Sequence, residues 1–384
     1  MTQAKTYPSI DGDRVAVGAG CRIDPGSRIC ASEVVIGRDV VIDAGVRIAA
    51  DRVEIGDGCR IRRDASIVCP DVRIGPQSTL GEETSIELNA HLRIGKLADL
   101  GRRLRIVGQG VEAGDHLWVT DEVTVGGGGA RGPRSYLTIG HRCAIMERSF
   151  INVAEPVAIG DETALSNNVV VLTHSMWHSA LDGGTTTFSP VRIGSRVILY
   201  VSAVVAPGVT IGNEVTVGAG AVVLRDVPDG SLAVGNPARI LKRTPPFPRR
   251  LGAERQDAIV RELLREYAAA LPSKGATVTA ESADTLLISL NGSRDVLRYL
   301  ASDASGQSGE RAAITIAVGP AAADVRGRVH LDLAAGTMDG EPTPLAEDLR
   351  DFLRRRSIRV FTERPFRSLP FANTERLRAR LPDR

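Results

Sequence analysis

Aliphatic residues recur at every sixth position along most of the first 225 residues. They fall in triplets: Val17, Ile23, Ile29; Ile36, Ile42, Ile48; Ile55, Ile61, Ile67; Ile74, Leu80, Ile86. The triplet starts are 19 residues apart. The pattern returns at Ile139, Ile145, Ile151; Ile159, Leu165, Val171; Ile193, Leu199, Val205; and Ile211, Val217, Val223. An α-helix repeats every 3.6 residues and a strand every two, so neither explains a period of six. Three short strands, one per hexapeptide, closing one triangular coil do explain it. One coil cannot bury its aliphatics alone, so many must stack, about 4.8 Å apart. A glycine follows the first member of each triplet (Gly18, Gly37, Gly56, Gly75, Gly140, Gly160, Gly194, Gly212), where the backbone turns and a Cβ would clash. The expectation is a mainly β chain built on a parallel β-helix.

The register divides the chain. Residues 11–95 form N-terminal coils, and residues 137–243 form a second block. Between them, residues 96–136 lose the pattern and include GGGGARGP at 126–133, which reads as an irregular Gly-rich coil or linker and a candidate contact for a subunit or substrate. A second break, 172–190, separates Val171 from Ile193 and carries His174, Trp177 and His178. Long loops on compact scaffolds are commonly functional. After the Pro-rich TPPFPRR at 244–250 the grammar changes, and residues 251–384 read as a small α+β domain of unknown role. There, 254–271, 293–303 and 345–356 read as helices, and 285–290, 312–318 and 328–333 as strands. Arg354, Arg355 and Arg356 read either as a solvated face or as a phosphate-binding patch.

Composition narrows the partners. Lys and Arg total 48 against 46 Asp and Glu, a net charge of +2, which offers no general attraction to nucleic acid or an anionic membrane. Aromatics are 4 % of the chain, consistent with a core of stacked aliphatics. The opening MTQAKTYPSIDGD lacks the regions of a secretory signal, and no apolar run is long enough to span a bilayer, so a cytoplasmic protein without a membrane span is expected. The five cysteines show no CxxC, and Cys21, Cys59 and Cys143 lie two residues before a repeat isoleucine, a column for small side chains.

Four features in order carry a resemblance: the His-bearing loop, PGVTIG at 207–212, VGAGAVVLRDVP at 217–228 and GNPAR at 235–239. Together they resemble the maltose and galactoside O-acetyltransferase branch of the hexapeptide-repeat acyltransferases, over about 100 residues from Leu137 onward. The resemblance implies a left-handed helix, a homotrimer with active sites between subunits, and acetyl-CoA or another acyl-CoA as co-substrate. It implies a sugar or glycan hydroxyl as acceptor, with His174 as general base and direct transfer. By the same resemblance Asn152, two turns earlier, contacts the acceptor, and Ala219 contacts the pantetheine arm. Arg225 stands where the family has a lysine near the cofactor, and Arg239 and Lys242 match residues near its phosphates and adenine. Tyr200 and Val201 replace the family's Gly and Ser in the coil after the loop.

The residues themselves leave alternatives open. Histidine suits the role of base because its ordinary pKa, about 6.5, leaves it mostly neutral near pH 7. His178 is the rival base and, with Trp177, a candidate acceptor contact; Asp182 either orients a histidine or makes a turn. Ser166, Asn167 and Asn168 either face an acceptor or shape a corner. An N-acyltransferase on an amino-sugar, and a non-catalytic scaffold, are the competing readings. A zinc enzyme on a similar prism requires three converging histidines, and the six present lack the paired spacing, so no metal is expected.

Overall fold

The computed structural model describes residues 9–175, 179–241, 251–302, 312–321 and 326–378. The chain divides into two compact units, Met1–Arg249 and Arg250–Arg384.

The first unit is a β-solenoid of three columns of short parallel strands. One column can be followed through its inward residues, which pair directly rung on rung: Ile29, Ile48, Ile67, Ile86, Ile106, Val125, Ile151, Val171, Val205 and Val223. Their burial is nearly complete, and the triplet residues form one continuous aliphatic core.

The glycines after each first strand are required by close approach between rungs. A Cβ on Gly18 would lie 2.5 Å from the backbone of Gly37, one on Gly56 2.6 Å from the nitrogen of Pro76, and one on Gly194 2.7 Å from the backbone of Gly212. The left-handed position two residues further on is filled mostly by other residues, among them Asp39, Gln77, Arg142 and Glu214, with φ between 56° and 57°. Small polar side chains tie the same corner together. The Cys59 thiol donates to the Gly75 carbonyl at 3.1 Å, the Ser78 hydroxyl to Gly95 at 3.1 Å and the Thr163 hydroxyl to Gly194 at 2.8 Å. The cysteines with that spacing are free thiols that pack and cap a carbonyl.

Most of the expected linker over 96–136, up to Gly126, is instead continuous ladder. Leu80 pairs with Leu100, Leu100 with Val119 and Val119 with Ile145. The six-residue step survives at Ile94, Leu100, Ile106 and at Ala113, Val119, Val125. It is masked by a register shift between Leu88 and His91, which lengthens one coil, and by Ala113 standing in the isoleucine column. Only the stretch after Gly126 leaves the ladder, so the two expected β-helical blocks are one solenoid.

The solenoid ends in a hairpin. Leu232–Val234 pairs parallel with the preceding rung and antiparallel with Arg239–Leu241. The turn between them is the GNPAR motif, held down by Val222 N–H donating to Gly235 O (3.0 Å) and Ala238 N–H to Val222 O (2.8 Å).

The second unit is a six-stranded mixed sheet with strands in sequential order, Thr277–Ser282, Thr285–Leu290, Ser293–Leu300, Ile314–Ala317, Val329–Asp332 and Thr337–Gly340. Helices α1 (Ala253–Ala270) and α2 (Pro344–Arg354) bury Tyr267, Leu349 and Phe352 in its core, while α3 (Ala372–Arg378) has no buried residue. The expected helix at 293–303 is a strand, because Asn291 and Gly292, both at positive φ, turn Leu290 back into a hairpin. Two edge strands, Thr277–Ser282 and Thr337–Gly340, had not been expected. Of Arg354, Arg355 and Arg356, the last two are exposed, as a solvated face requires, and all three are ion-paired within the unit. The first two pair with Asp351, and Arg356 pairs with Glu266 while lying over the Phe352 ring.

Candidate functional site

Two excursions leave the solenoid at the same edge. The first departs from the strand Thr124–Gly126, where Gly126, Gly127 and Gly129 take φ of 141°, 87° and 78°, values that need glycine. It is closed by Ala130 N–H donating to Gly127 O (3.1 Å) and Gly132 N–H to Gly129 O (2.9 Å). The second departs after Val171, on the same column, and folds His174–Ser175 antiparallel to Thr187–Phe188. The strand Phe150–Asn152 pairs with both departing strands.

Asn152, fully buried, staples the two excursions. Its amide donates to the carbonyls of Gly126 (2.9 Å) and Gly128 (3.0 Å), and its oxygen accepts from Ala154 N–H (3.2 Å) and from the Thr173 hydroxyl. Thr173 in turn accepts from Glu155 N–H at 3.2 Å. Every hydrogen-bonding position of the Asn152 amide is therefore occupied. Asn152, expected as an acceptor contact, ties together the loops around His174, and it stands one rung before His174 rather than two.

His174 is held between these loops. Its ring lies 5.5 Å from that of Phe188, tilted by 52°. Its Nδ1 is buried and has no hydrogen-bond partner among the described residues. On the other side, a Cβ built on Gly128 would stand 2.9 Å from Nε2. The Gly-rich loop thus lies directly against the imidazole. Beside it is a cavity of about 600 Å³ whose walls include Gly127, Gly129, Phe188, Ala154, Val107 and Arg131. His174 is not itself a wall residue, but its ring packs on Phe188, which is, and an imidazole so placed has the chemistry to accept a proton.

The other histidines with described contacts are committed elsewhere. The His141 Nδ1 accepts from Asp115 N–H at 3.0 Å, His91 lies 3.2 Å from Glu112, and His330 meets the Thr315 hydroxyl at 2.9 Å in the second unit. Among the described residues no cluster of three or more His, Cys, Asp or Glu could hold a metal ion.

The remaining candidates are spread along the solenoid. Arg225 leaves the same edge as His174, two rungs on, about 10 Å along the axis. It is exposed, as are Ala219, in the turn before Val222–Val223, and Arg239, in the terminal hairpin. Neither Arg225 nor Arg239 has a carboxylate partner among the described residues. Tyr200 and Val201 are exposed by 47 % and 42 %. Asp182 is exposed in a 3-10 turn and Asn168 takes a left-handed corner conformation, so both read as turn residues. Trp177, His178 and Lys242 lie outside the described residues. Sequence reasoning did not assign Gly128, Phe188 or Thr173 to the site; the run of glycines at 126–129 was the visible signal.

Residues 190–225 match the family described as bacterial transferase hexapeptide (six repeats). The chain is 35 % identical over 88 residues to the galactoside O-acetyltransferase of Escherichia coli (strain K12), covering 22 % of this chain and 43 % of that protein. It is also 35 % identical over 97 residues to a serine acetyltransferase of Helicobacter pylori (strain ATCC 700392 / 26695), covering 24 % of this chain and 54 % of that one. The chain thus spans about half the length of the curated relatives it matches. Among solved structures it resembles a maltose O-acetyltransferase from Clostridium difficile 630, at 27 % identity and a TM-score of 0.25, covering 38 % of this chain and 70 % of that one. No helix among the described residues is long and apolar enough to cross a membrane. Residues 190–225 thus carry the repeats of the bacterial transferase hexapeptide family, on a ladder whose six-residue step runs through most of the first unit.

Proposed function

We propose that the protein is an acyltransferase that moves an acyl group, most simply acetyl, from acyl-coenzyme A to a hydroxyl of a sugar or glycan. The observation that carries this reading is the His174 imidazole, held between Phe188 and the Gly-rich loop beside a cavity that both of them line, on a prism with a partial match to a galactoside O-acetyltransferase. His174 takes the proton as the acceptor oxygen attacks the thioester carbonyl. The C–S bond breaks, and the imidazolium returns the proton to the leaving thiolate, so no covalent acyl-enzyme is needed. General-base help of this kind contributes roughly 10²–10⁴-fold.

Arg225 and Arg239, exposed and without carboxylate partners among the described residues, are suited to the phosphates of the donor. Exposed Tyr200, Val201 and Leu224 give the surface near these residues an apolar character that suits a seam between copies of the chain, and we read the active assembly as a homotrimer. Such an enzyme works where acyl-coenzyme A is made, in the cytoplasm.

The test is His174→Ala, assayed by thiol release from acetyl-CoA with a panel of glycoside acceptors. We expect activity to fall by about 10²–10⁴-fold with assembly mass and melting temperature unchanged. Wild-type rates in that variant sink the assignment of the base. A wild-type protein that does not bind CoA in calorimetry favours a non-catalytic scaffold.

A further inference from the structure

The cavity beside His174 has a charged far end that acyl transfer to a neutral sugar does not use. Three charged residues line it: Arg105, Arg131 and Glu155. Glu155 is committed to Arg134, at 2.6 Å. Arg131 is paired through both terminal nitrogens with Glu87, at 2.6 and 3.0 Å, in an exposed ion pair. Arg105 is exposed and makes no ion pair within 4 Å among the described residues, but the Arg131 hydrogen bond and, with it, the Arg105 charge hold the Glu87 carboxyl below the usual carboxylate range. The remaining wall is glycine, Val107, Pro133, Ala154 and Phe188, so the balance at this end of the cavity is one positive charge.

The ladder does not require an arginine here. The rungs on either side of Arg105 carry Ser85 and Thr124 in the same outward position. Its column continues through Phe150 to Val170, on the strand that leads to His174. Arg105 is therefore three rungs from the base, about 14 Å along the axis. The imidazole lies beside one end of the cavity, against Phe188, and at the other end two guanidinium groups, Arg131 and Arg105, share the one carboxylate of Glu87. An exposed ion pair such as Arg131–Glu87 contributes little, so Arg131 can turn to a bound dianion at small cost.

We propose that this end of the cavity is an anion subsite, and that the acceptor is a phosphate-bearing molecule whose phosphate docks on Arg105, with Arg131 beside it, while its hydroxyl reaches His174. The proposal rests on His174 as the base of acyl transfer, but its test reads binding rather than turnover. The protein is first saturated with CoA, so that donor-site cations are occupied, and inorganic phosphate and pyrophosphate are titrated in by calorimetry. We expect one site per chain for at least one anion. Arg105→Ala weakens it at least about tenfold, as loss of a charge-assisted bond implies. Arg105→Lys retains most of the affinity, and His174→Ala leaves it unchanged. The tighter-binding anion tells a monophosphate acceptor from a diphosphate one. Absence of binding to the wild type, or equal binding by Arg105→Ala of unchanged melting temperature, overturns the subsite. Should CoA itself fail to bind, the acyl-transfer reading falls, while the anion titration still reports on Arg105.

Discussion

At the scale of single residues, Gly128 carries the sharpest consequence. Its hydrogen is all that fits between the loop backbone and the Nε2 of His174, since a Cβ would lie 2.9 Å from that nitrogen. Gly128→Ala must displace either the loop or the imidazole. Misplacement of a reacting group by about 1 Å can cost about 10²-fold in rate. We expect a loss of that order in kcat, with a melting temperature within about 2 °C of wild type because position 128 is exposed. A melting temperature that collapses with the activity would make Gly128 structural. His330 bears a different prediction. Burial, followed by the charge of Arg326, pushes its imidazole below the ordinary histidine value. The unfolded chain therefore takes up a proton at this residue before the folded one does. Its contribution to stability is complete above about pH 6.5 and is lost as pH falls through that value toward the folded pKa. Hydrogen exchange in the strand Val329–Asp332 should accelerate between pH 7 and 5, after correction for intrinsic rates, and His330→Gln should flatten that dependence. A pH-independent corrected rate in the wild type would contradict it.

At the scale of one coil, two turn positions that look alike obey different rules. Gly56 has an unremarkable φ, yet its Cβ would fall 2.6 Å from the backbone nitrogen of Pro76 in the next rung. Gln77, nearby in that rung, takes φ +57° with its side chain free to point outward. Gly56→Ala should destabilise the solenoid by about 1–3 kcal/mol, the usual range for overpacking. Gln77→Gly removes left-handed strain but loosens the unfolded chain, so the two effects nearly cancel, within about 0.5 kcal/mol. Urea unfolding of both variants checks the pair, and equal midpoints would show that φ rather than close approach sets the glycine column. The same logic separates the two long excursions from the coils. Both leave from the third strand of a rung, where an insertion does not break the stack. The intervening strand Phe150–Asn152 then supplies Asn152 to join them.

At the scale of the whole molecule, the two units follow different rules of folding. The solenoid draws its core from neighbours one rung away, so a local spacing rule reveals it. The second unit draws its core from residues far apart in sequence, and there local pattern misread Ser293–Leu300 as helical. Alternate and adjacent apolar residues both look helical in a strand buried on two faces; Val296, Leu297 and Tyr299 are all buried, and only the Asn291–Gly292 turn signalled a hairpin.

The amino-acid order alone determined the aliphatic columns, the glycine column and the departure after Val171, because each depends on spacing that every rung repeats. It also singled out His174 through the motifs that surround it. Continuity through 96–136 was hidden by one extra residue near Leu88 and by Ala113, although the six-residue step was present. What only the tertiary structure decided is which side chains face each other across rungs. Asn152 is one such residue, and both of its amide hydrogens hold the Gly-rich loop. Gly128 and Phe188 lie 46 and 14 residues from His174 in sequence, yet they enclose its ring. Stacking brings such residues together through backbone hydrogen bonds between rungs, and that proximity leaves no local signature in the chain.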